Sequence, residues 1–298
     1  LDPEIAVLGD IMLDSYDIGT ATRISPEAPV VILKNPQRQY TLGGAANTAA
    51  NVLSLGEKSS LVGVIGSDHE GDIVASLCDE RNIRFQGPQS NAHRTINKHR
   101  FLVGSHQLLR VDNEDSILNA EIREEILSKI VRLKCRVLVI SDYGKGVVDE
   151  ETAQFAIRTT NENGGIVLVD SKSTDYSKFR GATLLTPNLR EAQRATGEED
   201  PETAAKKIHR KTGADVVVTL GERGMLLFAH SKITEIPTDP SVVSDVTGAG
   251  DTVVAAISVQ LMRGRPLIEA VHWANSAAAI AVSRVGTYAV RAEELSND

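Results

Sequence analysis

Asp245-Val246-Thr247-Gly248-Ala249-Gly250-Asp251 places two glycines and an alanine between two carboxylates. Apolar residues then recur at Val253, Val254, Ile257 and Leu261, the period of a helix. The Gly-Ala-Gly turn therefore opens a helix. A helix start presents unpaired N–H groups and the positive end of the macrodipole. With no bulky side chain in the way, Gly248, Ala249 and Gly250 can receive an anion against their backbone. A carboxylate beside such a hole suits phosphoryl transfer to a hydroxyl compound. The hole holds the transferring group, and Asp251 takes the proton from the attacking hydroxyl. The plain alternative is a glycine-rich turn capped by Asp251, since short motifs match by chance. A dinucleotide fingerprint fits poorly, because its third glycine would fall on Val253 and the motif lies late in the chain. There is no Walker A loop either: Gly144-Lys145 is followed by Gly146.

These residues need a scaffold, and the pattern supplies one. Ile5 to Leu8 reads as a buried strand ending at Gly9-Asp10, and Gly43-Gly44 opens an Ala-rich helix to about Leu55. Leu61 to Ile65 reads as a strand and Asp68 to Arg81 as a helix. From Asn119 on, helices at 119–133, 149–163, 188–196 and 202–212 alternate with strands at 136–141, 166–169, 182–185 and 215–220. Such alternation predicts a parallel sheet covered on both faces. A hairpin near 223–236 and helices near 249–263 and 267–284 follow; Leu267, Ala270, Val271, Ala274, Ala277, Ala278 and Ala281 form one face of the last, read as core packing. Two stretches, 15–41 and 92–112, break the rhythm. Val30 to Leu33, Thr95 to Val103 and Gln107 to Val111 are strand-like, with a turn at Gly104-Ser105-His106. They predict one small β-sheet lidding a single domain of residues 1–298.

With 298 residues, 41% of them hydrophobic, the chain suffices for a large α/β domain. A net charge of −8 and a pI near 5.5 argue against a general nucleic-acid or membrane binder. They leave room for an anionic substrate, which needs only a local cluster of Arg and Lys. Cys78 and Cys135 read as reduced core residues. No run approaches the ~18 apolar residues of a membrane helix. Leu1-Asp2-Pro3-Glu4 leads straight into a strand with no signal peptide, so a cytoplasmic location is expected.

With these parts in place the chain resembles the ribokinase-like (PfkB) carbohydrate kinases over nearly its whole length. Gly43-Gly44-Ala45-Ala46-Asn47 is similar to the family's first signature, Asn188-Leu189-Arg190-Glu191 to its Asn-x-x-Glu motif, and Asp245 to Asp251 to its second signature. Arg23 to Val30, Ser141-Asp142-Tyr143-Gly144-Lys145-Gly146 and Leu184 to Leu189 further resemble the heptose 7-phosphate kinases, often the kinase half of bifunctional ADP-heptose synthases. Two departures stand out. Asp170-Ser171-Lys172 has Ser where that subfamily usually has Pro, and the sequence to Asp298 carries no His-x-Gly-His nucleotidyltransferase motif. A stand-alone kinase or an excised domain is expected.

The resemblance implies a ribokinase-like three-layer α/β fold with a mainly parallel central sheet and a small β-sheet lid. It implies ATP-dependent phosphorylation of O1 of D-glycero-D-manno-heptose 7-phosphate, or of another sugar or sugar phosphate. The rival of another class is a catalytically silent sugar-binding regulator. Asp251 becomes the general base, with Gly248, Ala249 and Gly250 as anion hole. Asn188 and Glu191, at i and i+3 on one helix face, become holders of Mg²⁺ through water; an N-capping Asn188 is compatible with this. Asp10, Asp14, Gly43, Gly44, Asn47, Asp142 and Lys145 are the candidates for the sugar. Arg23, Lys98, Arg100, Arg110 and Lys145 are candidates for its phosphate, and Lys172, Thr219, Gly221 and Asn275 for the nucleotide. A monovalent cation such as K⁺ and a homodimer through the lid belong to the same implication. His69, His93, His99, His106, His209, His230 and His272 show no metal-ligand spacing.

Overall fold

The computed structural model describes residues 4–114, 118–133, 135–238, 245–284 and 286–295. Strand β1 (Glu4–Gly9) runs into β2 (Ile11–Ile24) and β3 (Val31–Gly44), and α1 (Ala45–Ser54) follows. Then come β4 (Ser59–Val62), β5 (Ile65–Gly66), α2 (His69–Glu80), β6 (Arg84–Phe85), β7 (Gln89–Ser90) and the hairpin β8 (Ile96–Val103) and β9 (His106–Asn113). The alternating stretch is α3 (Ala120–Arg132), β10 (Cys135–Asp142), α4 (Glu150–Glu162), β11 (Ile166–Ser171), β12 (Leu184–Leu185), α5 (Leu189–Thr196), α6 (Pro201–Thr212) and β13 (Asp215–Thr219). Strands β14 (Met225–Ala229) and β15 (Lys232–Ile236) precede α7 (Ala249–Met262) and α8 (Leu267–Val282).

Among the described residues, nine strands form one sheet in the order β15-β14-β13-β12-β11-β10-β1-β4-β6. It is parallel except at the β13-β14-β15 edge. The apolar runs of its strands serve two cores at once, because successive side chains point to opposite faces. Ile5, Val7, Val137 and Val139 pack on α1, α7 and α8. Ala6, Leu8, Leu138 and Ile140 pack on α3, α4 and α6. The small-residue stripe of α8 is core: Ala270, Val271, Ala274 and Ala277 are fully buried. Side chains close the helix starts, with Asp68, Asn119, Asp149, Asn188 and Asp200 each accepting an N3 amide.

The small sheet forms as expected, in the order β3-β2-β8-β9. It is larger than the sequence pattern shows: β2 and β3 span fourteen residues each. Both lead directly into the main domain, β2 from β1 and β3 into α1. The strand expected over 61–65 is split. Ser59–Val62 joins the main sheet, while Ile65–Gly66 pairs with Gln89–Ser90. Gly63 stands at the break, where an added Cβ would lie 2.5 Å from the Gly9 carbonyl. Cys78 is buried, and burial pushes its thiol up to about 12, which leaves it inert.

Candidate active site

The carboxyl ends of β1, β10, β11, β12 and β13 converge on one edge of the sheet, the place where open α/β sheets bind ligands. Helix α7 brings its N-terminus there. Gly248 caps it at φ 78°, a left-handed conformation suited to glycine. A Cβ on Gly248 would meet Asn47 Nδ2 at 3.0 Å. Among the described residues, a side chain on Gly250 would meet only Asp170, at 3.8 Å, so these residues leave the space above the helix start open. Of the three donors expected there, the Ala249 N–H turns back to the Val246 carbonyl at 3.3 Å. Asp245 holds the turn by accepting from the Thr247 and Gly286 amides.

Asp251 lies at this helix start, nearly fully buried. Its Oδ2 accepts from Asn47 Nδ2 at 2.7 Å, and its Oδ1 from the Tyr143 hydroxyl at 2.8 Å and the Thr48 hydroxyl at 3.2 Å. Burial raises its pKa against the opposing pull of Asn47, Tyr143, Lys172 and Thr48. Asn51 orients the Asn47 amide by donating to its carbonyl oxygens. Asn47, expected at the sugar, is thus bonded to Asp251.

Just beyond β11, among the residues expected at the nucleotide, Lys172 pairs with Glu191 Oε1 at 2.8 Å and stands 3.9 Å from Asp170. Burial works against the Lys172 charge, but Asp170 and Glu191 outweigh it and its pKa rises. Asn188 is the N-cap of α5 in a reciprocal capping box with Glu191. Their polar atoms are largely engaged with each other and with Lys172, which suits contact with a metal through water. Asp170, absent from the sequence-derived candidates, adds a buried carboxyl. Burial, with Glu191, Asp251 and Asp142 adding to it and Lys172 opposing, pushes it up to about 7. Thr219 bridges to Asn188 at the end of β13, and Gly221 begins the turn beyond. Asn275 binds Thr238 and the Pro237 carbonyl in the wall of a separately delimited cleft of ≈650 Å³.

Two carboxylates expected at the sugar have structural work instead. Asp10, fully buried, accepts from the backbone amides of Tyr143, Lys145 and Val147. Asp142 accepts from the Gly144 amide, from Ser171 and from Lys178. Ser171, the departure from Pro, thereby holds Asp142 at 2.7 Å, a bond that proline has no donor to make.

The lid supplies Asp14, Lys98 and Arg100. Asp14 sits against Gly43, where an added Cβ would lie 2.6 Å from its carboxylate, and it pairs with Arg100 at 2.5 Å. Gly44, at φ 55°, makes the sharp entry into α1. Lys98 Nζ stands 5.3 Å from the Tyr143 ring centroid, as does Lys172 Nζ. Burial lowers the Lys98 pKa, with Asp14 opposing it. The other cations lie differently. Arg110 forms a two-bond pair with Asp112 on the surface, Lys145 pairs with Glu114, and Arg23 is exposed near the tip of β2. Thr48 and Tyr143 escaped the sequence reading because only the folded chain brings α1 and the β10 loop to α7.

A buried carboxylate at a helix start, bonded by a tyrosine whose ring carries Lys98 of the lid, suits phosphoryl transfer to a hydroxyl compound. The pfkB family carbohydrate kinase model matches residues 2–294, and the chain belongs to that family. As a member it is a sugar kinase, a phosphotransferase acting on an alcohol group. It is 39% identical over 304 residues to the bifunctional protein HldE of Actinobacillus pleuropneumoniae serotype 5b (strain L20), and 38% identical over 301 residues to that of Proteus mirabilis (strain HI4320). These alignments cover 99% and 98% of this chain and 63% of either relative. The chain thus spans just under two thirds of their length. The fold is that of phosphofructokinase-2 from Escherichia coli, solved in complex with potassium. That match has a TM-score of 0.83 at 22% identity, covering 99% of this chain and 97% of the other. Ribokinase from Arabidopsis thaliana, complexed with ribose and ATP, matches with a TM-score of 0.77 at 22% identity, covering 99% and 98%.

Proposed function

We propose that the chain transfers the γ-phosphoryl group of ATP to the anomeric O1 of D-glycero-D-manno-heptose 7-phosphate, giving the 1,7-bisphosphate. The hydroxyl gives its proton to Asp251 while the O1–P bond forms and the bond from phosphorus to the ADP oxygen breaks. The start of α7 faces the charge that develops on the transferring group, and Lys172 adds a cation. Burial raises the pKa of this base, and the donors Asn47, Tyr143 and Thr48 with the Lys172 charge favour its ionised form against that rise. Mg²⁺ would neutralise phosphate charge, held through water by Asn188 and Glu191. The excess of buried carboxyl groups around Lys172, with Asp170 pushed to about 7, fits such a cation.

One observation carries the choice of a phosphorylated sugar. Lys98 and Arg100 place two half-buried cations on the lid, and Lys98 shares the ring of Tyr143, which bonds the base. The resemblance of Arg23 to Val30, Ser141 to Gly146 and Leu184 to Leu189 to heptose 7-phosphate kinases points to the heptose. A panel of heptose 7-phosphate, free heptose, ribose, fructose and fructose phosphates tests the reading by kcat/KM. A preference for an unphosphorylated sugar would overturn the substrate assignment.

The same reading includes a homodimer through the lid. Ile24, Val30, Val31, Leu108, Leu109 and Val111 are exposed there, and a second copy would cover them. Sedimentation of the Leu109→Lys variant as a monomer, beside a dimeric parent, is the expected result. K⁺ stimulation over Na⁺ at equal ionic strength tests the monovalent cation. A cytoplasmic location is part of the same proposal. Among the described residues no helix is long and apolar enough to cross a membrane.

A further inference from the structure

We propose that Tyr143 is the positioning residue that aims the base: it saturates Asp251 Oδ1 and leaves Oδ2 to take the sugar's proton. The inference rests on the reading of Asp251 as base and adds to it. An ionised carboxylate offers about four acceptor positions, two on each oxygen. Among the described residues, Oδ1 takes both Tyr143 at 2.8 Å and Thr48 at 3.2 Å, while Oδ2 takes Asn47 alone at 2.7 Å. The remaining position is on Oδ2. The sugar hydroxyl gives its proton there as O1 bonds to phosphorus.

Tyr143 is built to hold that aim. Its own amide donates to Asp10 Oδ2 at 2.8 Å, and those of Lys145 and Val147 donate to the same carboxylate at 3.0 and 3.1 Å. The Gly144 amide is fixed by Asp142 at 2.9 Å. The phenol therefore hangs from the buried ends of β1 and β10, independent of the lid. Burial, reinforced by the Asp251 charge, raises its own pKa well above the ordinary tyrosine value, so it stays a donor. Its ring is shared by a cation from each half of the site, Lys98 of the lid and Lys172 beyond β11. The groups facing Asp251 are Asn47 and Thr48 from α1, Tyr143 from the β10 loop, and Asp170 and Lys172 from β11 and the residue beyond it.

The test is Tyr143→Phe, which keeps the ring and removes the donor. That donor favours the ionised carboxylate, so its loss makes the Asp251 proton harder to release. The acid limb of kcat/KM, measured with whichever sugar of the panel is turned over, moves to higher pH by about one pH unit. At neutral pH kcat falls about tenfold, and KM for ATP stays. A titration of ¹³C-labelled aspartate carboxyls by NMR, without substrate, shows the same rise at the resonance absent from Asp251→Asn. Tyr143→Leu also removes the ring, and in it KM for the sugar phosphate rises as well. An unmoved acid limb and an unmoved carboxyl midpoint in Tyr143→Phe overturn the proposal. Near-normal turnover by Asp251→Asn would instead overturn the base assignment, and with it the aim proposed here.

Discussion

The main sheet and the lid are built from different kinds of strand. In β10, Val137, Leu138, Val139 and Ile140 are all fully buried between two helical layers. In β9, nearly every residue is exposed, and Leu108, Leu109 and Val111 face water. A fully buried aliphatic side chain contributes roughly 1.5–3 kcal/mol. Part-exposed ion pairs such as Asp17 with Arg38 contribute about 0–1 kcal/mol. The scaffold is held by its core, whereas the lid depends on backbone pairing and charged contacts. The chemistry is divided along the same line. Asp251, Tyr143 and Lys172 belong to the rigid half, and Lys98 and Arg100 to the soft one. Changes in the first half should act on the chemical step and changes in the second on sugar binding.

The sharpest way to break this division is Asp251→Asn. Losing a general base lowers rate by about 10²–10⁴. The amide is isosteric, so KM for ATP and the melting temperature should change little. Stopped-assay kcat beside a thermal melt checks both, and a mutant keeping half the parent's kcat refutes the assignment. Next comes Lys98→Ala on the lid. A charge-assisted bond to phosphate is worth about 1.5–3 kcal/mol, or roughly 10- to 100-fold in KM for the sugar phosphate. KM for ATP should stay. Arg110→Ala, whose guanidinium is engaged by Asp112, should have a smaller effect. Equal effects of the two changes would show that the phosphate is held at the rim.

Hydrogen exchange probes the same contrast without mutation. Segments with few buried apolar contacts open at low free energy. Exchange over β2, β3, β8 and β9 should slow when sugar phosphate binds, while β1, β10 and β11 stay protected throughout. Identical lid exchange with and without sugar would show that sugar binding does not order the lid.

The two halves also differed in how much of them could be read from sequence. The alternation from Asn119 to Thr219 announced a two-faced parallel sheet, because buried strands and amphipathic helices carry strong periodic signals. The lid strands carry weak ones: Asn35, Pro36, Gln37, Arg38 and Gln39 within β3 are exposed and look like a loop. Around the site, motifs brought out Asp251, Gly248, Lys172 and Glu191. They missed Asp170, Thr48 and the bond of Tyr143 to Asp251, because these contacts join residues up to 203 positions apart. They also placed Asp10 and Asp142 at the sugar, because a carboxylate at a strand end looks the same in sequence whether it faces a ligand or holds a loop.

The smallest expected effects are on stability, and they have opposite signs in the two halves. Asp170, in the scaffold, is pushed up to about 7 from 3.8, chiefly by burial. The folded protein therefore binds that proton more tightly than the unfolded chain between those values. Stability falls as pH rises through this window and stays lowered above it. Asp170→Asn cannot ionise, so its melting temperature should gain on the parent's by a few degrees, roughly, between pH 5 and pH 8. Asp17, in the lid, is held below the ordinary carboxylate value, first by its bonds to Arg38 and then by His99, against the cost of burial. Its contribution is present above pH 3.8 and is lost as pH falls. Asp17→Asn should therefore lower the melting temperature at neutral pH, by a degree or two at most, and less in acid. Parallel melts of both variants from pH 4 to pH 8 decide the matter. If both curves run parallel to the parent's, buried charge in the scaffold carries no more cost than paired charge in the lid, and the electrostatic side of the division fails.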